Sequence, residues 1–232
     1  MSPDRPAWLV LPFRLLAFAL CQASIAIFVG WNASAAWWPV AAVFANVMTI
    51  GLLVVLMRAE GRSYGDLFAF RRDKVRADLL WMLPVLLLTL PLAYVPNVAL
   101  ATWLFGDPEL ALNLLLRPLP AWAALLAIAF PLTIVFAELP LYFGYAMPRI
   151  AQRTGRVWLA LSVTAFFLAA QHVTLPLLID WRFALWRLLM FLPFALFLAL
   201  VVRLRPSLLG YLVVVHGALD FAVVAMLLQL SL

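Results

Sequence analysis

Four acidic or imidazole side chains stand well inside apolar runs of this sequence: Glu138 in VFAELPLYFGYAMPRI, His172 in FFLAAQHVTLP, and His216 with Asp220 in VVVHGALDF. They include both histidines of the chain. A carboxylate in apolar surroundings can act as general base toward a water, and an imidazole can orient that water or steady a developing oxyanion. Two His and one or two carboxylates are also an acceptable zinc ligand set, with one position left open for water. His216 and Asp220 are four residues apart, which sets them on one face of a helix. Singly, each has a bland reading: a lone His or a protonated Glu bonded to a neighbouring helix, and Asp220 as no more than a partner for His216. Together, on three separate apolar runs, they are better explained by one shared polar centre.

Composition decides what must position them. Of 232 residues, 68% are hydrophobic and only 11% charged, and the mean hydropathy is +1.09. Such a chain has the bilayer as its solvent. A hydrocarbon core roughly 30 Å thick takes about 20 helical residues to cross. Backbone groups there must be satisfied internally, so spans without strand-like alternation are helices. The expected fold is all-α, a single polytopic membrane bundle over 1–232. Seven spans are read near 8–30, 36–57, 78–96, 119–147, 157–176, 183–202 and 207–230, with the segment 97–118 able to hold an eighth or re-entrant span. The run 119–147 exceeds one crossing and contains Pro131 and Pro140, so a tilt or kink is expected there. In the third span, LPLAYVPN is expected to end the helix early. Residues 1–96 read as scaffold and 119–230 as the motif-bearing core.

Basic residues give orientation, because positive charge is retained on the cytoplasmic side. Arg5, Arg14, Arg58, Arg62, Arg71, Arg72, Lys74, Arg76, Arg149, Arg153, Arg156, Arg203 and Arg205 fall to one side, 13 of the 16 basic residues. Arg117, Arg182 and Arg187 fall to the other. The N-terminus therefore reads as cytoplasmic and the C-terminus as external, in a multi-pass protein of the plasma (inner) membrane. The net charge of +6 is a topology signal and needs no nucleic acid to explain it. The segment 58–77 alternates basic and apolar residues; it reads as a juxtamembrane linker touching anionic lipid headgroups, with a helix lying on the membrane face as the other reading. Arg14 interrupts the apolar core of a would-be signal peptide, so the first run reads as an uncleaved helix. Cys21, the only cysteine, can form no internal disulfide and reads as packing.

In order and type, these residues resemble the CAAX protease and bacteriocin-processing (CPBP, or ABI) family of intramembrane proteases. That family's first motif runs E-E-x-x-x-R within E-E-x-x-F-R-G-Y. Laid on ELPLYFGY, the first Glu falls on Glu138 and the Gly-Tyr ending on Gly144 and Tyr145. The second motif, F-x-x-x-H, is matched by LAAQH, with His172 kept and Leu168 in place of Phe. The third, H-x-x-x-N or H-x-x-x-D, is matched by HGALD. The resemblance covers about residues 119–225. It departs where Leu139 and Phe143 stand in place of the family's second Glu and its Arg. Both changes are apolar and leave no orphaned charge, so the bundle is expected to survive them.

The resemblance implies peptide hydrolysis without a nucleophilic side chain, on a membrane-embedded or membrane-anchored protein or peptide. Glu138 would activate water beside His172, while His216 and Asp220 would polarise the scissile carbonyl. Tyr142 and Tyr145, at helical spacing from Glu138, would add donors or simply pack. The family is often labelled metalloprotease, and zinc on His172, His216, Glu138 and Asp220 is the alternative to a metal-free glutamate mechanism. No HExxH motif supports the metal, and no GxSG or GxGD motif supports serine or aspartate chemistry. The departure at Leu139 and Phe143 keeps a catalytically inactive binding or scaffold relative in play. A carrier is disfavoured because matching repeats are missing.

Overall fold

The computed structural model describes residues 5–68 and 70–232, with side chains from residue 7 onward. Arg5, counted above among the basic flank, has its side chain outside the described residues. Among these residues every regular element is helical: α1 Arg5–Leu9, α2 Phe13–Val29, α3 Trp31–Ser34, α4 Trp38–Ala59, α5 Val75–Phe105, α6 Pro108–Leu115, α7 Ala121–Leu126, α8 Ala129–Ile134, a π turn Pro140–Ala146, α9 Met147–Thr154, α10 Val157–Gln171, α11 Trp181–Leu204 and α12 Leu209–Ser231. Four stretches are long and apolar enough to cross a membrane: Trp31–Ala59, Tyr64–Phe105, Trp181–Leu204 and Pro206–Ser231. Phe13–Val29, Ala121–Ile134 and Val157–Gln171 are apolar but shorter.

The third run differs from expectation. LPLAYVPN does not end it, and α5 continues through Pro84, Pro91 and Pro96 to Phe105, about 46 Å at 1.5 Å per residue. Each proline removes one donor, but this helix lies on the outside of the bundle with most of its apolar side chains exposed, so its turns can adjust without displacing neighbours. The segment 97–118 is therefore the end of α5 followed by the short α6, whose N-cap Asp107 accepts from the Glu109 amide at 2.8 Å. Between α4 and α5 the basic segment forms two 3-10 turns, Tyr64–Phe68 and Arg72–Lys74, and so behaves as a linker; residue 69 within it lies outside the described residues.

The run 119–147 is broken as its prolines suggest, and the break is what positions Glu138. Helix α8 gives way to turns after Ile134, and a π turn begins at Pro140, two residues past Glu138. Pro140 has no N–H to give to the carbonyl of Phe136, four residues back. The Tyr64 hydroxyl, from the linker, donates to that carbonyl instead. The run lies between two neighbours: α10 packs on the π turn and α9, and α12 packs on α7, α8 and the π turn. Two glycines permit the approach. A Cβ on Gly217 would run into Val135 Cγ1 and stand 3.3 Å from the Pro131 carbonyl oxygen, and a Cβ on Gly144 would stand 3.0 Å from the Leu67 carbonyl oxygen. The main apolar core gathers Leu139, Tyr142, Phe143, Leu161, Leu168, Leu198 and Leu209 around this element.

Candidate functional site

Glu138 is buried, 1% exposed, and both of its oxygens are engaged. Oε2 accepts from Gln171 Nε2 at 2.6 Å and lies 3.7 Å from Arg14 Nη2. Oε1 lies 3.3 Å from His216 Nε2, and the same nitrogen is 3.4 Å from Asp220 Oδ2 one turn further along α12. Neither contact is aligned as a hydrogen bond, so His216 Nε2 and Asp220 Oδ2 keep hydrogen-bonding capacity unspent among the described residues. Gly217 explains why they meet: the helix-to-helix approach it allows is at the residue following His216.

His172 stands beside this group rather than in it. Its Nδ1 meets the Leu168 carbonyl at 2.9 Å, and its ring stacks on Phe191 with centroids 3.7 Å apart. The side chain that α10 delivers to Glu138 is the preceding residue, Gln171. Thus Glu138, His216 and Asp220 come into direct contact, while the His172 side chain engages Leu168 and Phe191.

Two residues assigned above to the flanks belong inside. Arg14, counted as a cytoplasmic topology charge, is fully buried. It donates from Nε to Gln171 Oε1 at 2.6 Å and from Nη1 to Asn46 Oδ1 at 2.9 Å and Thr49 Oγ1 at 3.3 Å. Asn46 in turn donates to Thr133 Oγ1 at 3.0 Å on α8. Arg187, assigned to an outer loop, is buried on α11 and donates to the carbonyls of His172 at 3.3 Å and Leu175 at 3.1 Å. A guanidinium can enter a bundle when acceptors receive its donors: Arg14 has neutral side-chain acceptors and the nearby Glu138 carboxylate, and Arg187 has main-chain carbonyls with the Phe191, Trp186 and Phe183 rings around it. The signal was present in the sequence, since Arg14 visibly interrupts an apolar run and an intramembrane cation needs an anion. Gln171 had none beyond its position next to His172.

Of the two tyrosines, Tyr142 is fully buried and its hydroxyl reaches Gln171 Oε1 at 3.4 Å, so it belongs to the network. Tyr145 does not; its hydroxyl donates to Glu60 Oε1 at 3.1 Å and its ring lies under Arg149, 3.8 Å from the guanidinium carbon.

Among the described residues no group of three or more His, Cys, Asp or Glu side chains is disposed to hold a metal. A void of about 10 Å³ opens beside His216, between α5, α11 and α12, lined also by Thr89, Leu139 and Leu219. It has room for roughly one water. Thr89 Oγ1, buried, has no hydrogen-bond partner among the described residues. A larger cavity, about 860 Å³, lies elsewhere, at the basic end of the bundle.

Set against known proteins, the chain matches no family, no curated protein and no solved structure.

Proposed function

We propose that this chain is an intramembrane endopeptidase of the kind its motifs resemble, hydrolysing a peptide bond of a membrane-embedded or membrane-anchored substrate with a water activated by Glu138. In this reading the chain is multi-pass with seven spans, in the plasma membrane, with its basic end cytoplasmic. The observation that carries the proposal is the meeting of Glu138, His216 and Asp220 from two elements remote in sequence, beside a void large enough for one water. Water within hydrogen-bond reach of both Glu138 Oε1 and His216 Nε2 would lose a proton to the carboxylate as its oxygen attacks the scissile carbonyl, and the resulting carboxylic acid would pass that proton to the leaving amine as the C–N bond breaks. His216, paired with Asp220, would donate to the oxyanion as it develops. Arg14 and Gln171 hold the other carboxylate oxygen and so leave Oε1 facing His216, which lines the void. No step requires a metal.

A second reading has an observation of its own. Arg14 and Gln171 satisfy Glu138 so fully that the cluster also reads as a polar lock joining α2, α4, α10 and α12 in a catalytically silent binding or scaffold protein. The two separate in one experiment. Purified protein is incubated with a membrane peptide library, wild type against Glu138→Gln and His216→Ala, with and without exhaustive chelation. The peptidase reading expects cleavage by wild type that survives chelation and falls by about 10²-fold or more in each variant. No cleavage by folded wild type, or cleavage unchanged in Glu138→Gln, would overturn it; loss on chelation restored by zinc would overturn the metal-free mechanism.

A further inference from the structure

The 860 Å³ cavity is not used by the chemistry above. It lies where α4, α9, α11 and the start of α12 come together, and the linker carrying Arg62 and Asp66 forms one of its walls. Its floor is apolar, from Phe143, Met147, Val157, Val202 and Leu209, and its rim carries Arg62, Arg149 and Arg203. The rim cations are not equivalent. Arg149 is committed to Glu60, which it meets through both Nε and Nη2. Arg62 reaches Asp66 only across 3.7 Å with both side chains about half exposed, a pairing worth little in water. Arg203 has no hydrogen-bond or ion-pair partner among the described residues. One unpartnered and one loosely paired guanidinium thus overhang an apolar floor.

From this geometry we infer that the cavity is a binding site for a phosphate-bearing amphiphile, its phosphate between Arg62 and Arg203 and its apolar part on the floor. Three observations select that class. The volume suits a ligand of a few hundred daltons and exceeds what a simple ion needs. Guanidinium is the group that receives phosphate oxygens in pairs. Arg58 lies in the last turn of α4, Arg205 caps α11 and the linker between α4 and α5 adds Arg71, Arg72 and Lys74, so the cavity lies at the basic ends of apolar helices, the arrangement of a basic pocket at a headgroup layer. The inference does not depend on the peptidase reading. It places the ligand against the same π turn that follows Glu138, since Phe143 and Gly144 line the cavity.

The test is calorimetric titration of the purified full chain in a neutral detergent, with dihexanoyl phosphatidylglycerol, dihexanoyl phosphatidylcholine and inorganic phosphate as probes. Saturable one-to-one binding of the anionic lipid is expected, with the zwitterionic lipid at least tenfold weaker. Inorganic phosphate should compete. Competition only at far higher concentration identifies a lipid headgroup as the source, and equal affinity identifies a soluble phosphate compound. The double variant Arg62→Gln/Arg203→Gln should weaken binding at least tenfold. Arg203→Lys, which keeps the charge but not the paired donors, should weaken binding less than Arg203→Gln, and Gln152→Trp, a neutral change that fills the cavity, should abolish it. Arg76→Gln, basic but outside the cavity, is the control. Absence of saturable binding, equal binding of the zwitterionic lipid, or an equal loss in Arg76→Gln would overturn the site, with thermal melts confirming that each variant is folded.

Discussion

Removing the Arg14 guanidinium while leaving the Glu138 carboxylate in place tests whether the polar centre is one electrostatic unit. Arg14 is fully buried and makes three aligned hydrogen bonds, to Gln171, Asn46 and Thr49, besides its 3.7 Å approach to Glu138. Arg14→Met keeps most of the volume but strands a buried carboxylate and three acceptors. Breaking a buried pair from one side costs about 3 to 5 kcal/mol, because the charge left behind is uncompensated. Glu138→Gln alone strands the cation instead and should also be costly. The two losses must not add, since the double variant contains neither charge. Its stability should exceed the sum of the single losses by about 1 to 3 kcal/mol. The assay is equilibrium unfolding in mixed micelles followed by far-ultraviolet circular dichroism for the four proteins of the cycle. Additivity within about 0.5 kcal/mol would mean that Arg14 and Glu138 are independent, and the shared-centre argument would fail with it.

Other outcomes follow from single contacts. Gly217→Leu should drive α12 off α8, destabilise by about 1 to 3 kcal/mol and separate His216 from Glu138, whereas Gly210→Ala, whose added carbon meets nothing closer than 3.9 Å, should be nearly neutral in the same unfolding assay. Tyr64→Phe removes the donor that satisfies the Phe136 carbonyl and should cost about 1 kcal/mol; in a Pro140→Ala background, where the backbone can supply that donor, the cost should shrink toward zero. At the basic end, the hydrogen bond from Arg149 holds the Glu60 carboxyl below its ordinary value of 4.5. A depressed folded value means that this pair stabilises the protein above the unfolded value and loses that contribution as pH falls through the folded one. The stability difference between wild type and Glu60→Gln should therefore be constant near neutrality and close below about pH 4.5, read from melts between pH 7 and 3.

The helices were legible because their cause is local. Apolar runs of helical length return as α2, α4, α10, α11 and α12 with ends displaced by a few residues, α5 runs nine residues past its expected end, and the proline-containing run breaks at 127–128 and 135–137, just ahead of Pro131 and Pro140. The error at α5 came from treating proline as a helix terminator. That rule is calibrated on helices packed on several sides, and α5 leaves most of its surface free to absorb the distortion.

The site was legible only by half, for a reason that is physical. His216 and Asp220 share a helix face, so their meeting is fixed by spacing, and Glu138 advertises itself as an anion among aliphatic residues. What holds Glu138 is a cation from a helix more than a hundred residues earlier, and an arginine in an apolar run carries two meanings in sequence: a flank charge that sets topology, or a buried partner. Charge balance separates them. A carboxylate with no water around it requires a compensating cation within a few ångströms, and the His172 and His216 imidazoles are the only alternatives on the motif elements. His172 spends its Nδ1 on the Leu168 carbonyl and its ring face on Phe191, which leaves His216 on one side of the carboxylate and no cation from those elements on the other. The unmet side calls for a long, permanently charged donor from outside the motif helices. Arg14, the one basic residue stranded mid-run in the first helix, meets that description, and Gln171 completes it by bridging the two, accepting from Arg14 Nε and donating to Glu138 Oε2 at 2.6 Å each.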